Sequence, residues 1–342
     1  MYAKLKEEAS VRHNGSEDIT KHRVWMTCWH HKGRIMASCG DDKTVRVWTL
    51  SGDSESNNLK LNCVTTLDES HQRAVRCVNF SHSGTYLVSA SFDASIVVYQ
   101  NENNEFVETD KLEGHESEVK CCAFSPSDQF LATCSRDKNV WFWQVDEDED
   151  FNVSSILQPH TQDVKFVAWH PSDDLLVSCS YDSSIRFYRY DGEDWVTQQK
   201  LDAVHTGTVW CAAFDADGNR LVTVGEDHVI QLFTRENIST KSAINDTWKL
   251  VCRLEIEDTR WPLYSVSWNH THDIIATGGG DGKIRLFKIT SESGSPTIEN
   301  LGVAGKHTLD VNNVAWCPSA DRSNLLTSCS DDGSIKLWSL EI

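Results

Sequence analysis

Pairs of short apolar segments recur along the whole chain and predict β-strands. The first segment of each pair is a nearly continuous apolar run, as in YLVSAS and LLVSCS, and the second alternates apolar with polar residues, as in SIRFY and SIKLW. Short apolar runs and strict alternation are both typical of strands. The pattern therefore predicts an all-β chain.

An aspartate separates the two segments of each pair, and an aromatic residue follows it six positions later. This spacing occurs seven times, at Asp42/Trp48, Asp93/Tyr99, Asp137/Trp143, Asp182/Tyr188, Asp227/Phe233, Asp281/Phe287 and Asp332/Trp338. A hydroxyl residue stands four positions before each aspartate, at Ser38, Ser89, Thr133, Ser178, Thr223, Thr277 and Ser328. Seven occurrences of one fixed spacing indicate an internal repeat.

A histidine stands 22 residues before the aspartate in four repeats, at His71, His115, His160 and His205, and the last repeat keeps His307 after a short insertion. Thr20 and Thr259 take this place in the first and sixth repeats. The strand predicted next ends in an aromatic residue in every repeat: Trp29, Phe80, Phe124, Trp169, Phe214, Trp268 and Trp316. A fourth, weaker strand follows each Asp-x5-aromatic segment, as in FVETDKL.

Four strands in roughly 45 to 50 residues predict the fold. This period is close to the ~40–45 residues of a propeller blade. We therefore expect one domain, residues 1–342, folded as a seven-bladed β-propeller. The chain ends soon after Trp338, so the last repeat lacks a fourth strand. The amino-terminal segment near YAKLK is expected to supply it and to cover the open edge.

Composition narrows the function classes. Acidic residues outnumber basic ones 51 to 32, for a net charge of -19. Such a chain is not expected to bind nucleic acid or anionic membranes without a local basic patch. The first 20 residues contain no apolar signal region, and no later window approaches the ~18 apolar residues of a membrane span. We therefore expect a soluble, intracellular protein that is located in the cytoplasm, with the nucleus open as a second location.

The recurring hydroxyl, histidine and aspartate look like a nucleophilic triad. An enzyme needs such a triad only once, however, whereas these residues occur in several repeats. They are better explained as a buried hydrogen-bond network. The chain has no P-loop or dinucleotide fingerprint, and we expect neither enzymatic activity nor a cofactor. The five acids Asp146 to Asp150 are interpreted as a solvated loop.

The cysteines also follow the repeat. Cys39, Cys134, Cys179 and Cys329 stand three residues before the aspartate, and Cys77, Cys121 and Cys211 stand sixteen before it. These are strand interiors, where cysteine acts as a small apolar residue. Metal binding is not expected, because the ring should hold equivalent cysteines of different blades apart.

These motifs resemble the WD-repeat family over the whole chain. The resemblance implies that the residues 19, 17 and 1 positions before each aspartate lie on the top face and contact partners. Position 17 holds Trp25, Arg76, Lys120, Lys165, Trp210, Tyr264 and, allowing for the insertion in the last repeat, Asn312. Position 1 holds Asp41, Phe92, Arg136, Tyr181, Glu226, Gly280 and Asp331. Position 19 adds only Arg23.

Four of these fourteen residues are basic and five are aromatic, in an otherwise acidic chain. Exposed aromatics among cations are typical of a recognition surface, and arginine can bind a carboxylate through two parallel hydrogen bonds. The predicted partner-binding residues are Arg136, Arg76, Lys120, Lys165, Trp25, Phe92, Tyr181, Trp210 and Tyr264. The predicted ligand is an acidic or carboxylate-bearing peptide with an aromatic anchor. The alternative is a solvated face whose aromatics cap the core.

The middle repeats also resemble the iron–sulfur assembly members of this family. The segments are LEGHESEVKCCAFSPSDQFLATCSRDKNVWFWQVDEDE, HTQDVKFVAWHPS and SCSYDSSIRFYRYDGEDWV. The resemblance implies a non-catalytic adaptor of the cytosolic iron–sulfur targeting complex, with Arg136 as a functional surface arginine. Implied partners are a small SufT-like adaptor, a HEAT-repeat scaffold, a hydrogenase-like iron–sulfur carrier and client apoproteins of cytosol and nucleus. Some clients end in an aliphatic, an acidic and an aromatic residue.

Two points remain open at the level of sequence. The family can carry a Leu-Tyr-Arg tripeptide that docks a co-chaperone, but this chain has Phe187-Tyr188-Arg189, and Tyr188 is also the aromatic of its repeat. The tripeptide therefore does not by itself predict docking. The alternative function is a scaffold of another complex, such as a ubiquitin-ligase substrate receptor or a chromatin subunit.

Overall fold

The computed structural model describes residues 3–15, 22–52, 59–103, 105–236, 246–290 and 296–342. These residues form 28 strands and one short 3-10 helix, Ala320–Arg322. The amino-terminal strand is β1 (Lys4–Arg12). Blade 1 contains β2 (Val24–Trp29), β3 (Ile35–Gly40), β4 (Val45–Ser51) and β5 (Lys60–Leu67). Blade 2 contains β6 (Val75–Phe80), β7 (Tyr86–Ser91), β8 (Ile96–Glu102) and β9 (Glu105–Leu112).

The next blades repeat this plan. Blade 3 contains β10 (Val119–Phe124), β11 (Phe130–Ser135), β12 (Val140–Val145) and β13 (Phe151–Leu157). Blade 4 contains β14 (Val164–Trp169), β15 (Leu175–Ser180), β16 (Ile185–Tyr190) and β17 (Trp195–Leu201). Blade 5 contains β18 (Val209–Phe214), β19 (Arg220–Gly225), β20 (Val229–Glu236) and β21 (Thr247–Glu255). Blade 6 contains β22 (Leu263–Asn269), β23 (Ile274–Gly279), β24 (Lys283–Thr290) and β25 (Thr297–Lys306).

Blade 7 is built from both ends of the chain. Its strands are β26 (Val311–Trp316), β27 (Leu325–Ser330), β28 (Ser334–Glu341) and β1, in the order β1-β28-β27-β26. β1 pairs antiparallel with β28 from Lys4 opposite Glu341 to Arg12 opposite Ser334. The prediction that the amino-terminal segment completes the last blade is confirmed.

The seven sheets form a closed ring. The first strand of each blade is innermost and contacts the first strands of both neighbours, including β2 against β26. The second strands are the most deeply buried: every residue of β7, β11, β15 and β27 is buried. The outer strand of a blade alternates between buried and exposed positions only in part, as in β9. The seven-bladed propeller is thus confirmed, with its core between stacked blades.

The conserved spacing of the aspartate reflects a tight turn between the second and third strands. In blade 3, the Asp137 carboxylate accepts the N–H of Asn139 at 2.9 Å, and Lys138 between them adopts a left-handed backbone, φ 75°. Asp and Asn favour such turns because their short side chains bond the backbone two residues later. All seven aspartates make this bond in the described structure, although only the turns of blades 6 and 7 have glycine at the left-handed position.

In the five repeats that have the histidine, a buried network connects the turn to the core, as expected. In blade 3, Trp143 donates its indole N–H to Thr133 Oγ1 at 3.1 Å. His115 bonds Thr133 through Nε2 at 2.9 Å and Asp137 through Nδ1 at 2.7 Å. Since the carboxylate only accepts, Nδ1–H is the donor and the hydroxyl donates to Nε2. Burial alone would raise the pKa of Asp137, but the bond from His115 lowers it below its ordinary value.

The first and sixth repeats lack this histidine, and a different residue contacts the aspartate in each of them. In blade 1, His13 of β1's following turn bonds Ser38 at 2.9 Å and lies 3.3 Å from Asp42. In blade 6, the buried Arg285 guanidinium lies 2.6 Å from Asp281, while Thr277 Oγ1 has no hydrogen-bond partner among the described residues. Thr20 lies outside the described residues. The sequence spacing missed His13, because the histidine comes from the strand that closes the ring.

The cysteines at both repeat positions are buried in strand interiors, as predicted. The expectation that the ring holds equivalent cysteines apart is wrong for one pair. Cys77 and Cys121, from the inner strands of blades 2 and 3, place their sulfurs 3.8 Å apart. The inner strands converge on the ring axis, so small equivalent side chains can meet there.

Candidate functional site

The top face is the end of the ring that carries the aspartate turns. At its centre lies a cavity of about 280 Å³. We call it the top pocket; its lining residues are Arg23, Trp25, Arg76, Phe92, Lys120, Lys165, Trp210, Tyr264, Asp310, Asn312 and Asp331. The pocket therefore combines residues from all seven blades.

Cations stacked on aromatic rings form one wall. The Arg76 guanidinium lies 5.1 Å from the Trp25 ring centroid, and Lys120 Nζ lies 4.1 Å from that of Phe92. Neither cation makes an ion pair with a carboxylate in the described part of the chain. Such stacking holds a cation in place without neutralising its charge. The wall is thus prepared to receive an anion.

The protonated, charged form of Lys120 is destabilised by its surroundings. Burial, followed by repulsion from Lys165 and Arg76, lowers its pKa to about 8, although Glu118 acts in the opposite direction. Lys165 lies 3.1 Å from Asp163 and is partly compensated. An incoming carboxylate would relieve the repulsion at Lys120 and raise its pKa again.

Two indole N–H groups add to the unmet donors. Trp25 and Trp210 line the pocket, and the Nε1 atom of each is buried without a hydrogen-bond partner in the described structure. A buried donor without an acceptor costs about 1–3 kcal/mol. Together with the cations, these groups favour a ligand rich in acceptor oxygens.

The opposite wall is acidic. Asp331 pairs with Arg23 at 3.4 Å and accepts a hydrogen bond from Asn312 at 2.7 Å. Burial, then repulsion from Asp331, raises the pKa of Asp310. Burial and the neighbouring Asp310 raise the pKa of Tyr264 to about 12. The pocket is therefore polarised from blades 2–4, which are positive, towards blade 7, which is negative.

Seven of the nine residues predicted for partner binding line the top pocket together: Trp25, Arg76, Phe92, Lys120, Lys165, Trp210 and Tyr264. Tyr181 is 55% exposed, and its ring centroid lies 5.2 Å from Lys165 Nζ. Arg136 does not line the pocket. It lies in an adjoining groove between blades 2 and 3, which meets the pocket at Phe92.

Glu118 explains the position of Arg136. Its carboxylate lies 3.3 Å from Arg136 and 3.4 Å from Arg73 and accepts the Ser117 hydroxyl at 2.8 Å. These bonds and the cations lower its pKa to about 2, against the effect of burial. Glu118 stands 18 residues before Arg136 in the sequence. The spacing alone does not show that these two residues pair, because the same spacing joins other residues in the other repeats.

Two residues of the Phe187-Tyr188-Arg189 tripeptide are internal. Phe187 is fully buried and stacks on Trp248, with centroids 5.2 Å apart. Tyr188 is fully buried and bonds Ser178 at 2.8 Å. The Arg189 side chain is 14% exposed. Phe187 and Tyr188 therefore belong to the core, whereas Arg189 is partly exposed. The acids 146–150 are exposed, as expected, and Asp146 accepts two backbone N–H groups of its own loop.

Comparison with known proteins agrees with the repeat analysis. The WD domain, G-beta repeat family matches residues 15–49, 61–100, 106–144, 151–189, 197–234, 249–288 and 299–339. A Caenorhabditis elegans relative is named "Probable cytosolic iron-sulfur protein assembly protein CIAO1 homolog" and is 71% identical over 338 residues, 99% of this chain and 100% of the relative. "Probable cytosolic iron-sulfur protein assembly protein Ciao1" of Culex quinquefasciatus is 38% identical over 93% of this chain and 95% of its own length. The chain therefore belongs to the WD-repeat family and, within it, to the family of cytosolic iron–sulfur protein assembly proteins that these relatives represent.

Proposed function

We propose that the chain acts in cytosolic iron–sulfur protein assembly as a non-catalytic adaptor. The names of relatives that match its full length support the pathway. The buried hydroxyl–histidine–aspartate networks support the absence of a reaction of its own, since each histidine is enclosed by its blade. The cluster is cargo of the pathway, and the propeller brings together the proteins that carry and receive it.

The top pocket supports binding of client tails that end in a free carboxylate. The observation that carries this proposal is the wall on which Arg76 and Lys120 face the pocket and form no ion pair with a carboxylate of the described residues. Charge-assisted hydrogen bonds to carboxylates are roughly twice as strong as neutral ones. In this arrangement Arg76 and Lys120 bind the terminal carboxylate, and the indole N–H groups of Trp25 and Trp210 supply further donors.

The remaining parts of such a tail also find matching chemistry. Phe92 and Tyr264, on opposite sides of the pocket, provide faces for an aromatic residue of the tail. A tail leaving the pocket over Phe92 enters the groove that holds Arg136. There an acidic side chain competes with Glu118 for Arg136, so Arg136 contributes to binding through exchange of an existing ion pair.

Partners follow from family membership and are part of the proposal. They are a small SufT-like adaptor subunit, a HEAT-repeat scaffold subunit, a hydrogenase-like iron–sulfur carrier and client apoproteins in the cytoplasm and nucleus. Direct binding of nucleic acid or membranes is not proposed, given the net charge of -19. Purification from cells should recover the adaptor and HEAT subunits; recovery of cullin adaptors or histone-modifying subunits in their place would contradict the proposal.

The decisive experiment is a peptide-binding titration. A fluorescent peptide ending in leucine, aspartate and tryptophan is compared with its carboxy-terminal amide on the wild type and on Arg76→Gln. We expect amidation to weaken binding at least tenfold in the wild type and much less in the variant, because both changes remove the same interaction. Arg260→Gln, which changes an exposed arginine outside the pocket, serves as control. Equal affinity of free and amidated peptides for the wild type would refute the assignment.

A further inference from the structure

The bottom end of the ring holds a second central cavity. Each inner strand ends there in the aromatic residue of its repeat. One part of the cavity measures about 400 Å³ and adjoins another of about 310 Å³; the two share Asn79, His82, Trp169 and Pro318. We call this the bottom cavity. Trp268 and Trp316 line its larger part, and Trp29 lines the smaller.

The lining of the bottom cavity carries no formal charge. Among the described residues, no Asp, Glu, Lys or Arg lines either part of it, although 24% of the chain is charged. Two nearby histidines are held neutral: burial, the largest cause, lowers the pKa of His30 to about 4 and also lowers that of His31. An ionised group would lose its hydration here without gaining a counter-charge. The cavity therefore selects an uncharged occupant.

Two buried ring nitrogens of residues that line the cavity have no partner in the described structure, His31 Nδ1 and Trp316 Nε1, and only the indole nitrogen is a fixed donor. Of the four tryptophans, Trp29 donates to the Ala315 carbonyl at 3.1 Å, Trp169 to the Ala123 carbonyl at 2.8 Å and Trp268 to Asp273 at 3.0 Å. Trp316 is only 6% exposed, and its Nε1 atom has no partner in the described structure. Because the other three are satisfied within the fold, Trp316 marks the point where an occupant would supply an acceptor.

The rim of the cavity is polar, whereas its centre is aromatic. His82, His270, Thr271 and Ser323 belong to its lining, together with Pro171 and Pro318. The His82 side chain is 54% exposed, so the cavity is reached from solvent. Aromatic side chains beside uncharged polar groups can bury an anchor side chain of a partner protein and bind its backbone.

We propose that the bottom cavity binds an uncharged apolar side chain of a partner polypeptide, with a backbone carbonyl of the same segment accepting the Trp316 N–H. A volume of about 400 Å³ holds a leucine or phenylalanine side chain with its flanking amides. This site is independent of the carboxylate-binding top pocket. The protein would then bind an uncharged segment at the bottom of the ring and an anionic tail at the top.

The test uses capped amino acids as probes and the indole N–H signals of the intact protein in NMR spectra. N-acetylphenylalaninamide should shift the Trp316 indole signal saturably. N-acetylphenylalanine, which differs only by its ionised carboxylate, should bind at least tenfold more weakly. Trp316→Phe keeps the ring and removes the donor; its affinity for the neutral probe, measured by equilibrium dialysis, should fall about fivefold, as expected for one hydrogen bond.

Two further variants separate specific binding from loss of structure. Trp141→Phe removes another buried indole N–H without a partner, on a residue that lines no part of the bottom cavity, and should leave probe affinity unchanged. Ala213→Leu reduces the cavity and should abolish binding, with the folded state verified by circular dichroism. Arg76→Gln should not affect this probe, so failure here is distinguishable from failure of the client-tail proposal. Absence of a saturable shift, or equal affinity for both probes, would overturn the inference.

Discussion

The two mouths of the ring are formed by the same seven strands, yet their chemistry is opposite. Each inner strand places one residue at the top pocket position and another four residues later at the bottom: Trp25 and Trp29, Arg76 and Phe80, Lys120 and Phe124, Lys165 and Trp169, Trp210 and Phe214, Tyr264 and Trp268, and Asn312 and Trp316. The bottom residue is aromatic in every blade, whereas the top residue changes from blade to blade.

This difference separates packing from recognition. The bottom aromatics wedge between adjacent blades, as Trp29 does by bonding the Ala315 carbonyl of blade 7, so a uniform large ring is required there. The top position lies at the pocket and is free to vary. Lys120, at one of these varied positions, has no ion pair among the described residues, and this is why we propose that it binds the tail carboxylate. At the bottom position, the indole N–H groups of Trp29, Trp169 and Trp268 have acceptors, whereas that of Trp316 has none in the described structure. This difference is the reason for placing a binding site at Trp316.

The largest expected effect comes from breaking the ring that both mouths share. Deletion of residues 1–12 removes β1 from the last blade and exposes the edge of β28. We expect the free energy of unfolding to fall by more than about 4 kcal/mol, with loss of both binding activities together. Thermal melts and probe titrations would measure this. Glu7→Gln, which loses only the exposed ion pair to Lys336, should change stability by less than about 1 kcal/mol.

Charge reversal in the top pocket should weaken binding there and leave binding at the bottom cavity unchanged. Lys120→Glu places a carboxylate where we propose that the tail carboxylate binds, and we expect peptide affinity to fall about 100-fold, because a charge-assisted bond is replaced by repulsion. Binding of the neutral probe at the bottom should stay within twofold of wild type. A parallel loss at both mouths would show that the variant damages the ring and not the pocket.

The affinity for the tail should depend on pH through the protonation of Lys120. With a pKa of about 8 in the free protein, Lys120 is protonated at pH 7, and a bound carboxylate keeps it so. As pH rises above 8, binding must take up a proton, so affinity should fall about tenfold by pH 9. Anisotropy titrations at several pH values measure this slope. Lys120→Arg should abolish most of it, since arginine stays charged; an unchanged slope would contradict the assignment.

The smallest effect is expected at Arg136. Its charge is already paired with Glu118, so Arg136→Gln should weaken binding of a tripeptide tail less than threefold, against at least tenfold for Arg76→Gln. Longer tails with an additional acidic residue should be more sensitive. Glu118→Gln should strengthen their binding a few fold, because it releases Arg136. A tripeptide that depends more on Arg136 than on Arg76 would place the carboxylate in the groove.

Most of the fold and much of the pocket could be predicted from the repeat. The repeat position 17 residues before the aspartate gave seven residues of the top pocket, because one geometry recurs in every blade: Trp25, Arg76, Lys120, Lys165, Trp210, Tyr264 and, after the insertion in the last repeat, Asn312. Phe92 and Arg136 share the other predicted position, yet only Phe92 lines the pocket. The Arg136 side chain is turned to Glu118 instead, and that choice depends on charges in the same blade and its neighbour.

The sequence by itself determined the number of blades, the strand order within them, the closing role of the amino-terminal strand and the positions that reach the top face. These follow from local periodicity and fixed spacing, which every blade must satisfy in the same way. Only the tertiary structure decided that His13 replaces a missing histidine, that Phe187 is fully buried and that Trp316 Nε1 has no partner among the described residues. These depend on distances between strands far apart in the chain, which packing of the closed ring sets.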